Sequence, residues 1–296
     1  MSLVLPKPQA RVASRFWSAK TIGVLLILLA LSLASIIPML FVVSTALKSD
    51  TNMLEIPPRF LPTEFNWGNF AKAAATINFW NLLLNSLILT ALNVVGSIGA
   101  SMLVAYGLSR IRFPGRKIWF YLFIGSMMLP SIVGLIPLFK LFLALGWYNT
   151  WYPLIVPAFF GNPFFIFLMR QYYLSIPRSI DEAATIDGAS HWQIFSQMMI
   201  PLTAPAWIAC TVFAFQNSWN DYLNVLVYLP LAPEKWTLSL GLAGFAGLGG
   251  IGTATTPWNL YMAANLMYMI PSLIVFFAAQ KYFMQGVGAI GAHSQK

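Results

Sequence analysis

The chain has 296 residues, 58% of them hydrophobic and 8% charged, with a mean hydropathy of +0.72 and a net charge of +9. Soluble domains carry about 25% charged residues, so the composition argues for an integral membrane protein whose positive charge sits in basic loops. One cysteine, Cys210 in an apolar run, and two distant histidines, His191 and His293, leave little basis for a disulfide framework or a clustered metal site.

Residues 1–20 are polar and basic, a tail read as cytoplasmic, with Lys7, Arg11, Arg15 and Lys20 and no acid. The run 21–47 carries no charge and is too long for a signal-peptide core of about 7–15 residues, so it reads as an uncleaved first span. From Lys48 to about Trp80 the chain is mixed in charge and rich in proline, which predicts an exposed loop. A second span covers 82–108, and the short basic loop Arg110 to Lys117 leads to a third at 118–143, interrupted by Pro130 and Pro137. Its late Lys140 can snorkel outward. An aromatic cluster at 146–151 precedes a short fourth span at 153–169. A polar stretch, 179–201, separates it from a fifth span at 203–229. A glycine-rich loop is expected over 230–256 and a sixth span over 259–280, and residues 281–296 form a second cytoplasmic tail.

The fold class is therefore an all-α polytopic membrane protein with six transmembrane helices. Twelve of the 17 basic residues fall on the side that holds both termini and the polar stretch. The positive-inside rule makes that side cytoplasmic. No internal repeat is evident, which gives an inverted-repeat secondary transporter no support.

The stretch 179–201, S-I-D-E-A-A-T-I-D-G-A-S-H-W-Q-I-F-S-Q-M-M-I-P, holds three of the chain's eight acids and reads as a helical hairpin. Ser179 and Glu182 spell a capping box, Ser190 and Gln193 repeat it, Gly188 suits a helix C-terminus, and Pro201 stops the second helix. A DNA-binding helix-turn-helix fails on charge, because no Lys or Arg lies between Arg178 and Pro201 to neutralise phosphates. The fifth span carries F-Q-N-S-W-N-D-Y-L-N, and polar groups at membrane depth usually face a bundle interior or an aqueous pathway. Asn217, Trp219, Asn220 and Asp221 are the candidates for a solute path, amide and aromatic groups suiting hydroxyl-rich ligands. The alternatives are interhelical hydrogen bonding for the asparagines and, for Asp221, an interfacial acid about 27 Å along a helix begun near Thr203. Asn85, Asn93 and Asn265 read as packing residues. Gly247 to Gly252 formally spells G-x-G-x-x-G, but no strand precedes it and it falls on the outer side, so it is a loop rather than a dinucleotide site. No Walker A pattern G-x-x-x-x-G-K-S/T occurs, so the chain lacks the usual means of binding ATP.

The segments E-A-A-T-I-D-G-A, Glu182 to Ala189, and M-M-I-P-L-T-A-P, Met198 to Pro205, together resemble the cytoplasmic EAA loop of ABC importer membrane subunits. The wider D-E-A-A-x-x-D-G-A, W-N-D-Y-L at Trp219 to Leu223, and the last helix and tail at Pro271 to Gly286 resemble the carbohydrate-uptake branch. That branch includes the second membrane subunit of maltose-type transporters. Met198 to Pro201 departs mildly from the family's I-x-L-P. The resemblance implies a permease subunit for an oligosaccharide or related polyol, in a bacterial-type cell membrane. It implies as partners a second, similar membrane subunit, two cytoplasmic ATPase subunits that use the ATP, and an extracytoplasmic solute-binding protein. This chain would bind no cofactor and catalyse no reaction. The hairpin would dock on the ATPases, with Ala183, Ala184 and Ala189 keeping one surface small, Gly188 turning the chain, and Glu182 and Asp187 offering anchors. The bland reading of Glu182 is a cap of its own helix, worth about 0.5–2 kcal/mol; the two roles are compatible, and the whole pattern favours docking. An ion-coupled carrier is the alternative, but Asp221 is the one marginal acid in its spans.

Overall fold

The computed structural model describes residues 19–53, 55, 57, 59–247 and 257–293. Among these there are helices and no strands. In chain order the α-helices are α1 (Ala19–Ala46), α2 (Asp50–Met53), α3 (Gly68–Thr76), α4 (Phe79–Arg110), α5 (Arg116–Met127), α6 (Ser131–Ala144) and α7 (Tyr152–Ile155). They continue with α8 (Pro163–Ser175), α9 (Ser179–Ile186), α10 (His191–Gln193), α11 (Ile200–Leu202), α12 (Ala204–Trp219), α13 (Leu223–Tyr228), α14 (Leu238–Phe245) and α15 (Trp258–His293). Four continuous segments are long and apolar enough to cross a membrane, and up to six do so if two bent helix pairs each count as one span.

The two bends lie where the backbone cannot continue. α5 and α6 meet at 101° across Met128–Pro130, where Pro130 lacks an N–H and disfavours helix at the residue before it. The expected third span is thus two helices set nearly at right angles. The second bend, 79°, separates the helical run His191–Leu202 from α12 at Thr203. Pro201 does not stop the hairpin's second helix: it sits in the first turn of α11, after a π-helical stretch at Ile194–Met199, and the break comes two residues later. A wider turn ahead of a proline gives its ring room.

α4, 32 residues long, is the central element, packed by α8 and α12. Its buried face is rich in small polar residues, Ser86, Thr90, Ser97, Ser101 and Ser109, which let helices approach closely without a bulky side chain between them. Asn85 donates to the carbonyls of Glu234 and Trp236 (2.8 and 2.9 Å), and Asn93 to that of Leu154 (2.6 Å). Both are the packing residues that their positions suggested. α1, in contrast, is exposed within this chain along most of its length and leans on α15.

Three further expectations are corrected. The stretch after α1, expected as an exposed loop, is largely exposed but holds the helices α2 and α3 and is tied to the bundle: Asn69, buried, donates to the carbonyls of Ala46 and Lys48 (2.8 Å each), and Asn259 reaches Lys48 and Asp50 from α15. The fifth span ends at Trp219 instead of running to Leu229. There the Asp221 carboxylate accepts from the Asn224 backbone N–H (3.1 Å) and side-chain amide (2.9 Å), the local bonding by which Asp competes with helix. Asp221 therefore lies in a break and not at a height along a helix. The region expected as a glycine-rich loop holds α14, whose Leu238, Leu240 and Leu242 are buried. The G-x-G-x-x-G stretch lies outside the described residues except for Gly247, as do residues 1–18, while α15 continues unbroken past Lys281.

Candidate coupling site and solute path

The hairpin is built by two local devices and one tertiary one. Gly188 sits at φ +83° after α9. The Ala189 N–H donates to the Ala184 carbonyl (2.9 Å) and the Gly188 N–H to that of Thr185 (3.1 Å), the two crossed bonds of a Schellman ending. Ser190 then caps α10 as expected: its hydroxyl accepts from the Gln193 N–H (3.4 Å), and the Gln193 side chain accepts from the Ser190 N–H (2.8 Å). Ser179 is different. α9 already includes it, Arg178 is the residue before the helix, and no side chain caps that end. The S-x-x-E box does not form, because the chain reaches Ser179 in helical geometry rather than the extended conformation a cap requires.

What fixes α9 instead is Asp181, whose carboxylate meets the Arg110 guanidinium at 3.0 Å. The two side chains are 19% and 4% exposed, respectively. Arg110, the last residue of α4, also donates to the carbonyls of Tyr173 and Ile176 at the end of α8 (2.7 and 2.9 Å). Burial pushes the Asp181 carboxyl above its ordinary value, against the pull of Arg110, Arg178 and His191, and Glu182 adds to the rise. Among the described residues, Asp181 Oδ1 and Arg110 Nε have no partner.

The two faces of α9 differ. Ile180, Asp181 and Ala184 turn inward, and Ala184 joins Ile194, Phe195 and Met199 in a core with Tyr106, Met169 and Tyr173. Ala189 packs against the same core. Of the three alanines expected on a partner's surface, only Ala183 is exposed; Ala184 and Ala189 let the hairpin sit close to its own bundle. Glu182, Asp187 and Gly188 are exposed with it, and so are two large apolar side chains, Ile186 (86%) and Trp192 (64%). Glu182 makes no capping bond there, and sequence reading passed over Ile186 and Trp192 although both interrupt a polar hairpin.

The four path candidates do not form one wall. Trp219 is 1% exposed, stacked between Phe215 (5.4 Å) and Tyr268 (5.6 Å), a core residue of this chain. Asn217 and Asn220 are exposed on α12 and at its end, Asn220 accepting from the Tyr268 hydroxyl (2.6 Å). Asp221 points elsewhere, into a cavity of about 310 Å³ that it shares with Asn93, Ser97 and Asn224. Among the described residues no group of His, Cys, Asp and Glu could hold a metal.

Comparison with known proteins decides what the hairpin and spans belong to. Residues 97–288 match the model of the family described as binding-protein-dependent transport system inner membrane component. The chain belongs to this family. It is a permease subunit of an ABC importer, a transport component and not an enzyme, in place of the ion-coupled carrier that the sequence left as an alternative. It is 30% identical over 281 residues to the probable ABC transporter permease protein YurM of Bacillus subtilis (strain 168), covering 93% of this chain and 89% of that one. The permease is also 32% identical to the diacetylchitobiose uptake system permease protein NgcG of Streptomyces coelicolor, over 86% of this chain and 83% of that protein. Its fold is similar to a chain of a bacterial ABC transporter involved in import of the acidic polysaccharide alginate, with a TM-score of 0.79 and 27% identity, covering 90% and 99% of the two chains.

Proposed function

We propose that this permease carries a sugar, an oligosaccharide or related polyol, and that the hairpin is where two cytoplasmic ATPase subunits hold it. The observation behind the docking role is the split of α9: one face locked to the bundle through Asp181 and Ala184, the other offering Ile186, Trp192, Glu182 and Ala183 to a partner. The permease itself carries no Walker A pattern. ATP would bind and be hydrolysed in the partners, closing them and moving the hairpin. That motion has two routes inward: along the chain through the 79° bend into α12, and through Arg110 into α4. A second, homologous membrane subunit would complete the pathway, an extracytoplasmic binding protein would deliver the solute, and six spans would keep both termini in the cytoplasm. The sugar class rests on relatives whose names specify diacetylchitobiose and alginate, and on the exposed amides Asn217 and Asn220.

The test of docking is to make Glu182→Lys and Ile186→Asp in the assembled importer and measure uptake together with co-purification of the ATPase. Both should fall while the permease stays folded in the membrane. Survival of both would remove the docking role. Uptake of a panel of labelled sugars tests the substrate class separately.

A further inference from the structure

We infer that the half-open cavity that Asp221 lines is a binding site for one sugar-sized polyol, distinct from the exposed Asn217 and Asn220. The inference rests on the sugar reading above and deepens it. Its walls come from α4 (Asn93, Ser97), α6 (Phe142), the residue before α8 (Asn162), the break after α12 (Asp221) and α13 (Asn224). The volume, about 310 Å³, is at the lower end of the ~300–1,000 Å³ typical of small-molecule sites. It suits one ring.

The polar groups there are incompletely used. Ser97 is 6% exposed and its hydroxyl has no partner among the described residues, a bare buried group that a ligand hydroxyl would satisfy. Asn93 donates its amide to Leu154 and retains its oxygen. Asn162 gives its oxygen to the Phe164 and Phe165 N–H groups at the start of α8 and retains its NH₂. Asn224 donates to Asp221 and retains its oxygen, and the Asp221 carboxylate has lone pairs beyond the two bonds it accepts. A hydroxyl, an amide donor and several acceptors match a polyol, whose hydroxyls both donate and accept. A divalent cation would want more carboxylate than the single Asp221 supplies, and a lipid chain would leave every one of these groups bare.

The experiment uses the assembled importer in nanodiscs, with Cys210→Ala removing the one native cysteine and Ser97→Cys reporting the cavity. Labelling by a small water-soluble methanethiosulfonate is followed with and without D-glucose, D-mannose, D-galactose, D-xylose or glycerol. At least one of these probes should slow labelling about tenfold near ten times its Kd, by mass action, and adding Asn224→Leu should abolish the protection while labelling persists. Labelling that no probe slows marks a water-filled void and overturns the site. Absence of labelling marks a closed one and does the same. If Ser97→Cys disturbs assembly, Ala158→Cys in the same wall gives the same readout. Protection without any sugar uptake would leave the cavity standing and overturn the substrate class; sugar uptake without protection would overturn the cavity alone.

Discussion

Arg110 and Asp181 join the end of α4 to the start of the hairpin across 71 residues of chain, at 3.0 Å and largely out of solvent. Among the described residues the other ion pair, Arg59 with Glu55 four positions away in sequence, is far more open to solvent, at 66% and 33% exposed. Removing one partner from a buried pair leaves an uncompensated charge and typically costs about 3–5 kcal/mol, whereas a side chain that still accepts from the guanidinium keeps part of the bond. Arg110→Ala should therefore destabilise the permease by about 3–5 kcal/mol, and Asp181→Asn by less than about 2 kcal/mol. Thermal inactivation of the detergent-solubilised importer reads the difference; equal losses would show that a hydrogen bond alone does not replace the charge pair in holding the hairpin.

Acidity provides a second reading of the same contact. Burial raises the Asp181 carboxyl above its unfolded value, so its folded form holds the proton more tightly than the unfolded chain does. The stability linked to that proton is complete below the unfolded pKa, near 4, and declines as pH rises through the folded value. Asp181→Asn should flatten this slope in a stability profile across the carboxylate range. A wild-type profile that instead rises with pH relative to the variant would place Arg110, and not burial, in control.

Gly188 separates backbone geometry from crowding. A Cβ there would meet no atom within 4 Å, yet φ is +83°. Left-handed backbone costs most residues about 1–2 kcal/mol, while Asn adopts it routinely. Gly188→Ala should lower hairpin stability by that amount, and Gly188→Asn by distinctly less, as read by proteolytic nicking at the hairpin. Similar nicking of both would point to partner contact at this position rather than strain.

How far the sequence carried is clear from particular residues. Gly188 and the Ser190–Gln193 box were legible because a turn and a cap are local. The direction of α9 was not: on an eight-residue helix with apolar residues on both sides, composition does not distinguish the inward face, and Asp181 outweighs Ala183 through a partner on another helix. The family motif marked the hairpin, but Arg110 lies outside it. In the fifth span the polar cluster was visible, while its division into core (Trp219), exposed amides (Asn217, Asn220) and cavity (Asp221) depends on Tyr268 and Asn93, far off in sequence.

Trp219 shows why that division matters for mutagenesis. Stacked on Phe215 and Tyr268 and 1% exposed, it should behave as a packing residue: Trp219→Ala costs about 3–5 kcal/mol. Its indole N–H has no partner among the described residues, so Trp219→Phe removes no hydrogen bond seen there and retains most of the aromatic contact. Uptake by the Phe variant should stay near wild type, and loss in the Ala variant should track the amount of folded permease recovered. Asn217→Leu is a surface change, whereas Asn220→Leu also removes the bond from the Tyr268 hydroxyl; Asn217→Leu should alter uptake per folded molecule if that residue meets the solute. A Trp219→Phe variant that folds normally but transports poorly would return the indole to the solute path, because only direct contact with the passing molecule would then separate the two rings.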